Sequence, residues 1–264
     1  IQKLLQVVQY FSKGYPEVVD IPYPSNSEYK LIIKTSISLI SSGTEKMLLE
    51  FGKSNLVKKA ISQPDKVKEA INKTKNDGVF TTYNSIKNKL DEPSPLGYSN
   101  VGVVQFVGKN VKGFSVGDRV VSNGPHAEYI SISPYLCSKV PDEVSDEDAV
   151  FTVISSIGLQ GIRLANPTLG ETFLVIGLGL VGILTSQLLQ ENGIRVLGID
   201  PDPEKLKLAS ELGIETLNIN SNADLVNWSL DLTNNVGVDG VLITAATKSN
   251  DPIEIAAKSC RKRG

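Results

Sequence analysis

Soft metal ligands are scarce in this chain of 264 residues, which has two cysteines, Cys137 and Cys260, and one histidine, His126. The cysteines stand far apart without Cys or His neighbours. Neither a disulfide framework nor a zinc-ribbon spacing is present, and both are expected to be ordinary thiols. Charge of one sign is lacking too: 27 Lys and Arg against 29 Asp and Glu leave a net charge of −2. That balance gives no positive field for a nucleic-acid partner. A bilayer span needs about 18 to 20 apolar residues, whereas the membrane-like stretch Phe173 to Leu184 has twelve, counting glycine. No membrane partner is expected. With no basic-plus-apolar leader, a reducing cytoplasm is the expected compartment.

What is there is a globular composition, 41% hydrophobic and 21% charged, which excludes a long disordered chain. The length allows one or two domains at roughly 150 residues each. Short apolar runs at Leu4 to Tyr10, Val18 to Ile21 and Leu31 to Ile40, broken by Pro16, Pro22 and Pro24, predict a β-rich start. From Lys46 to Leu90 apolar residues recur at three- and four-residue steps, which predicts two or three amphipathic helices. That stretch carries ten lysines against four acidic residues. A solvated helix face and a basic rim for a phosphorylated substrate both fit it.

Strands are expected again at Val101 to Val107, Arg119 to Ser122 and Ala127 to Ile132. A helix follows from Ser145, whose hydroxyl can accept the amide of Asp148, to about Ala165. Beyond Gly170 strands and helices alternate: Thr172 to Ile176, a helix from Leu180, Arg195 to Ile199, a helix from Glu204, Glu215 to Ile219, a helix near Leu225, Val238 to Thr244, and a helix from Pro252. Alternation of this kind means a parallel sheet with right-handed crossovers. The chain stops before a next strand, so it reads as a piece of a longer polypeptide.

The motif that carries chemistry is Gly177-Leu178-Gly179-Leu180-Val181-Gly182, placed between a predicted strand and a predicted helix. Gly177 permits a tight turn, Gly179 admits a pyrophosphate to the backbone, and Gly182 allows close helix packing. The diphosphate would lie over free amides at the helix start. Asp200 ends the second strand, where a carboxylate accepts both ribose hydroxyls and repels a 2′-phosphate, so NAD is expected over NADP. Lys205 and Lys207 lie nearby and could hold a phosphate. Thr244, closing the fourth strand, completes the expected cofactor-binding set. His126, in a turn before a strand, and Trp228, in a helix, are expected to serve packing.

These segments, with Val116-Gly117-Asp118-Arg119-Val120-Val121, Gly124-Pro125-His126-Ala127-Glu128-Tyr129 and Leu169-Gly170-Glu171-Thr172, resemble the medium-chain dehydrogenase/reductase family of zinc alcohol dehydrogenase type. The resemblance covers nearly all of the chain except 46–90. It implies an α/β fold: a GroES-like β-rich catalytic domain over 1–150, with the helical lysine-rich insertion 46–90, and an incomplete Rossmann doubly wound parallel sheet over 151–264. It also implies an active site in the cleft between them.

The family's zinc ligands correspond here to Ser42, Tyr98 and Thr152, all hydroxyls, and its four-cysteine lobe is absent. The expectation is therefore no metal. Thr44 matches the family's proton-relay hydroxyl and Tyr98 replaces a ligand, so these are the expected donors to a carbonyl oxygen. Glu45 is expected to orient Tyr98 or accept its proton, and Ser42, Ser99 and Asn100 to complete a polar substrate pocket. The implied activity is NAD(H)-dependent, zinc-independent hydride transfer at an alcohol or carbonyl of a polar, sugar-like substrate. A zinc-free quinone or enoyl reductase, and a non-catalytic NAD-binding module supporting a fused partner, stay open as alternatives. The partner implied is a small molecule such as a sugar or nucleotide-sugar. Homo-oligomers occur among relatives, and the resemblance is strongest to bacterial members fused to a C-terminal oxidoreductase domain of glucose-fructose oxidoreductase type.

Overall fold

The computed structural model describes residues 3–11, 14–53, 91–221 and 224–264, in two compact units, Ile1–Val153 and Ile154–Gly264. The helices expected over 54–90, and most of the lysine-rich segment with them, lie outside the described residues.

In the first unit a five-stranded antiparallel sheet runs β7-β3-β5-β6-β8, from Tyr129–Ile132, Leu31–Ser38, Asn100–Val107, Arg119–Ser122 and Cys137–Lys139. A three-stranded sheet runs β2-β1-β4, from Pro16–Pro22, Lys3–Gln9 and Ser94–Pro95. Leu31, Ile33, Val104 and Val120 are each 0% exposed and pack with Ile130 and Ile132 in one core cluster. Removing such a side chain from water is worth roughly 1.5–3 kcal/mol. Helix α1, Ser42–Lys53, follows β3 and begins before the expected Lys46.

The single helix expected from Ser145 to Ala165 is two: α2, Asp146–Ala149, and α3, Thr152–Ala165. Ser145 does cap α2, accepting from the amide of Asp148 at 3.1 Å. The break has a local cause. Phe151 N–H bonds three residues back to Asp148, tightening the last turn, and the Val150 carbonyl accepts from Ser99 Oγ at 2.5 Å. β4 and β8 are two and three residues long, too short to show periodicity.

Cys137 opens β8, with its thiol against the Ser133 carbonyl. Burial pushes this thiol from 9.0 up to about 11, so at pH 8 it carries about two orders of magnitude less thiolate than an ordinary cysteine. Alkylation by iodoacetamide at pH 8 is expected to be about 100-fold slower at Cys137 in the native protein than in denaturant. Peptide mass spectrometry reads this directly, and equal rates would show the thiol to be open.

In the second unit four parallel strands run β11-β10-β9-β12, from Glu215–Asn218, Arg195–Asp200, Thr172–Ile176 and Gly240–Ile243. Taken in order of appearance they stand third, second, first, fourth. The order reverses beside β9, where doubly wound sheets bind ligands at their carboxyl ends. Side chains alternate along β9. Phe173 and Val175 pack with Ile183 and Leu189 of α4, Leu180–Glu191, and with Leu206 and Ala209 of α5, Pro203–Glu211. Leu174 and Ile176 pack with Trp228 of α6, Leu225–Asp231, and with Ile255 of α7, Asp251–Ser259. Trp228 is thus a packing residue, as expected.

Candidate functional site

The carboxyl ends of β9, β10 and β12 bring together most of the residues expected to hold a cofactor. Gly177 leaves β9 with φ +96°, and a Cβ there would stand 2.7 Å from the Ala245 amide nitrogen. Only glycine fits. Its carbonyl accepts from Thr244 Oγ1 at 2.5 Å, so Thr244 holds the turn in shape. A Cβ on Gly182 would overlap the Gly177 carbonyl oxygen, which sets how closely α4 lies on the turn. Leu178, grouped by sequence with the cofactor contacts, has another job. Its side chain is 1% exposed in the core, and its amide donates to Asp200 Oδ2 at 2.7 Å.

Gly179 is the N-cap of α4 and offers no side-chain acceptor, so the amides of Leu180, Val181 and Gly182 at the helix start have no side-chain cap. Nothing lies within 4 Å of where its Cβ would be. An open space over free amides at the positive end of a helix fits a diphosphate.

Asp200 is 4% exposed and fixed twice, by the amides of Leu178 and of Asp202 at 2.9 Å. A carboxylate has about four acceptor positions, so two amides leave room for ribose hydroxyls. Lys205 Nζ stands 3.7 Å from Asp200 Oδ1 and 3.8 Å from Asp202, whereas Lys207 pairs with Glu211.

The hydroxyl set lies in the first unit, and the structure divides it. Tyr98 donates to Thr44 Oγ1 at 3.3 Å. Ser42 and Thr44 are exposed in the first turn of α1. Ser99 and Asn100, expected in the substrate pocket, are instead core residues at 1% and 0% exposure. Ser99 bonds the Val150 carbonyl, and Asn100 Nδ2 donates to Thr35 Oγ1 at 2.9 Å.

Glu45 is also corrected. Rather than turning to Tyr98, its Oε1 accepts from the Ser41 amide at 2.9 Å and its Oε2 meets His126 Nε2 at 3.1 Å. The other ring nitrogen, Nδ1, lies 2.8 Å from Ser38 Oγ. His126, expected to be plain packing, therefore sits in a polar chain that sequence reasoning missed. Its being the only histidine, inside the Gly124 to Tyr129 segment, was the available signal.

The donor set at the family's zinc positions does not fit that ion. Ser42 and Thr152 are hydroxyls at helix starts, and the Tyr98 phenol is bonded to Thr44. Thiolates and imidazoles are the usual ligands, and no group of three His, Cys, Asp or Glu able to hold a metal occurs among the described residues. Nor is any helix among them long and apolar enough to cross a membrane.

Residues 181–264 match the zinc-binding dehydrogenase family model. The chain is similar to an alcohol dehydrogenase of Geobacillus stearothermophilus, 26% identical over 68% of this chain and 61% of that one. It is also similar to a D-guloside 3-dehydrogenase of Escherichia coli, 29% identical over 57% of this chain and 44% of that one. The chain thus covers under two thirds of the length of these relatives. In fold it is similar to the crystal structure of 2R,3R-butanediol dehydrogenase from Bacillus subtilis, with TM-score 0.74 and 20% identity, over 98% of this chain and 74% of that one.

Proposed function

We propose that this chain is an NAD(H)-dependent, zinc-independent oxidoreductase of the medium-chain dehydrogenase/reductase family, acting on an alcohol or carbonyl of a polar, sugar-like small molecule, a reading that the family-model match and the alcohol dehydrogenase relative support. The observation that carries the reading is the uncapped start of α4 behind a glycine turn, with the Asp200 carboxylate fixed beside it. In this reading 151–264 is the nucleotide-binding domain and 1–150 the catalytic domain, in a cytoplasmic protein. The sugar-like substrate is supported by the D-guloside 3-dehydrogenase relative and by the polar side chains of Ser42, Thr44 and Tyr98. Ser99 and Asn100 no longer contribute to that argument.

Bound nicotinamide supplies or accepts the hydride. The chain does the rest. The amides at the start of α4 hold the diphosphate, Asp200 accepts the ribose hydroxyls, and Thr44, polarised by the Tyr98 phenol that donates to it, donates to the substrate oxygen as its charge grows. Titration with NADH and NADPH, followed by a panel of sugars, quinones and enones with and without a chelator, tests this. NADH is expected to bind at least tenfold more tightly than NADPH, with sugar turnover insensitive to chelation. Asp200→Asn is expected to bring the two affinities within about threefold, because it removes the charge that repels a 2′-phosphate next to Lys205. Equal binding by the unaltered protein would overturn the cofactor assignment, and enone reduction alone would favour the reductase alternative.

A further inference from the structure

We propose that His126 is a positioning residue for the Thr44–Tyr98 hydroxyl pair, acting through Glu45. Three segments meet at its ring. The Nε2 side faces Glu45 Oε2 at 3.1 Å, and Glu45 in turn holds the Ser41 amide just ahead of α1, whose first turn carries Thr44. The Nδ1 side faces Ser38 at the end of β3, at 2.8 Å. The ring lies against Gly97, which has φ +89° and whose Cβ would fall 2.7 Å from it; Tyr98 is the next residue. The backbone closes the same junction, since His126 N–H donates to the Leu96 carbonyl at 2.8 Å. One imidazole therefore ties both carriers of the hydroxyl pair, the start of α1 and the 96–98 loop, to the β-sheet.

The two polar contacts are unequal. Ser38 and His126 line a cavity of about 270 Å³ with Leu5, Val7 and Thr35, so a Ser38 hydroxyl deprived of its partner can turn to water. Glu45 is 7% exposed and has no such recourse. Without the imidazole Glu45 keeps the Ser41 amide on Oε1 but leaves Oε2 buried and unpaired, a cost that a shift in the first turn of α1 would relieve. Because a carboxylate can only accept, Glu45 requires a hydrogen on Nε2 of the ring.

The chain has one histidine, so a long-range ¹H–¹⁵N correlation spectrum of the labelled protein shows this imidazole alone. A hydrogen held on Nε2 is expected. An imidazole that averages between tautomers would overturn the proposal. In His126→Phe the Tyr98 ring signals, identified by their loss in Tyr98→Phe, should shift and broaden. His126→Gln, whose amide can donate to Glu45, should restore them. Unmoved Tyr98 signals in His126→Phe would sink the idea.

The catalytic consequence rests on the proposed function. With the sugar of the panel that supports the fastest NAD⁺ reduction, His126→Phe should lower kcat at least tenfold and leave NADH affinity within about twofold. His126→Gln should recover most of the loss. In the Tyr98→Phe background His126→Phe should cost little more. Additive losses, or NADH affinity falling in step with kcat, would mean a general structural role. If no substrate turns over, the hydride-transfer reading fails, and the tautomer and the Tyr98 signals still decide the positioning role.

Discussion

Replacing Gly179 with aspartate is expected to weaken NADH binding by more than 100-fold while leaving the protein as stable as before. The backbone permits it: Gly179 has φ −68°, a conformation any residue adopts, and no atom lies within 4 Å of the new Cβ. The position is the N-cap of α4, which lacks a side-chain acceptor. Aspartate there would cap a helix amide and gain a few tenths of a kcal/mol over glycine. The same carboxylate would sit in the space assigned to the diphosphate. Two unit charges about 4 Å apart at an effective dielectric of about 20 repel by about 4 kcal/mol, which is more than two decades in affinity. A thermal melt beside a fluorescence titration with NADH separates the two effects. Unchanged affinity in a stable variant would put the diphosphate elsewhere. Gly182→Val is the poorer test, since its side chain would collide with the Gly177 carbonyl and damage the fold along with the site.

The glycine turn of the proposed cofactor site was legible because its determinants are local. Gly177 and Gly182 are dictated by turn and packing within a few residues of one another, and the strand-helix alternation around them marks the sheet. Even there the sequence did not separate Leu178, which gives its amide to Asp200, from residues free to face a ligand. The hydroxyl half was less legible because its geometry is nonlocal. Ser99 and Asn100 follow Tyr98 directly, yet one residue further along a strand start means the core: Ser99 bonds Val150, and Asn100 bonds Thr35. Glu45 and His126 are 81 positions apart, and nothing in the spacing says that an acid after Thr44 would find a histidine from the β6–β7 connection. A polar pair far apart in sequence leaves no local trace, whereas the buried apolar run Leu31 to Ile33 in β3 does.

The hydroxyl pair itself gives the second large effect. Combining Tyr98→Phe with Thr44→Val is expected to lower kcat by roughly one to three orders of magnitude, the range that removing an oxyanion donor or a proton donor costs. Affinity for NADH should hold. Thr44 is exposed and Tyr98 partly so, and such surface changes shift stability by only about 0.5 kcal/mol, so a loss of turnover would not be a loss of fold. The order of the bond makes the two singles unequal. Tyr98 donates to Thr44 Oγ1, which spends the phenol proton and leaves the threonine proton free. Thr44→Val deletes the free donor and releases the phenol to replace it, so its loss should be the smaller of the two when the released Tyr98 can reach the substrate. Tyr98→Phe keeps the Thr44 donor but removes the bond that polarises it. The singles should therefore not sum to the double. Initial rates with the best sugar of the panel, measured in all four proteins, check this. Full turnover in the double variant would remove both hydroxyls from the chemistry and leave the stabilisation of the substrate oxygen to other groups.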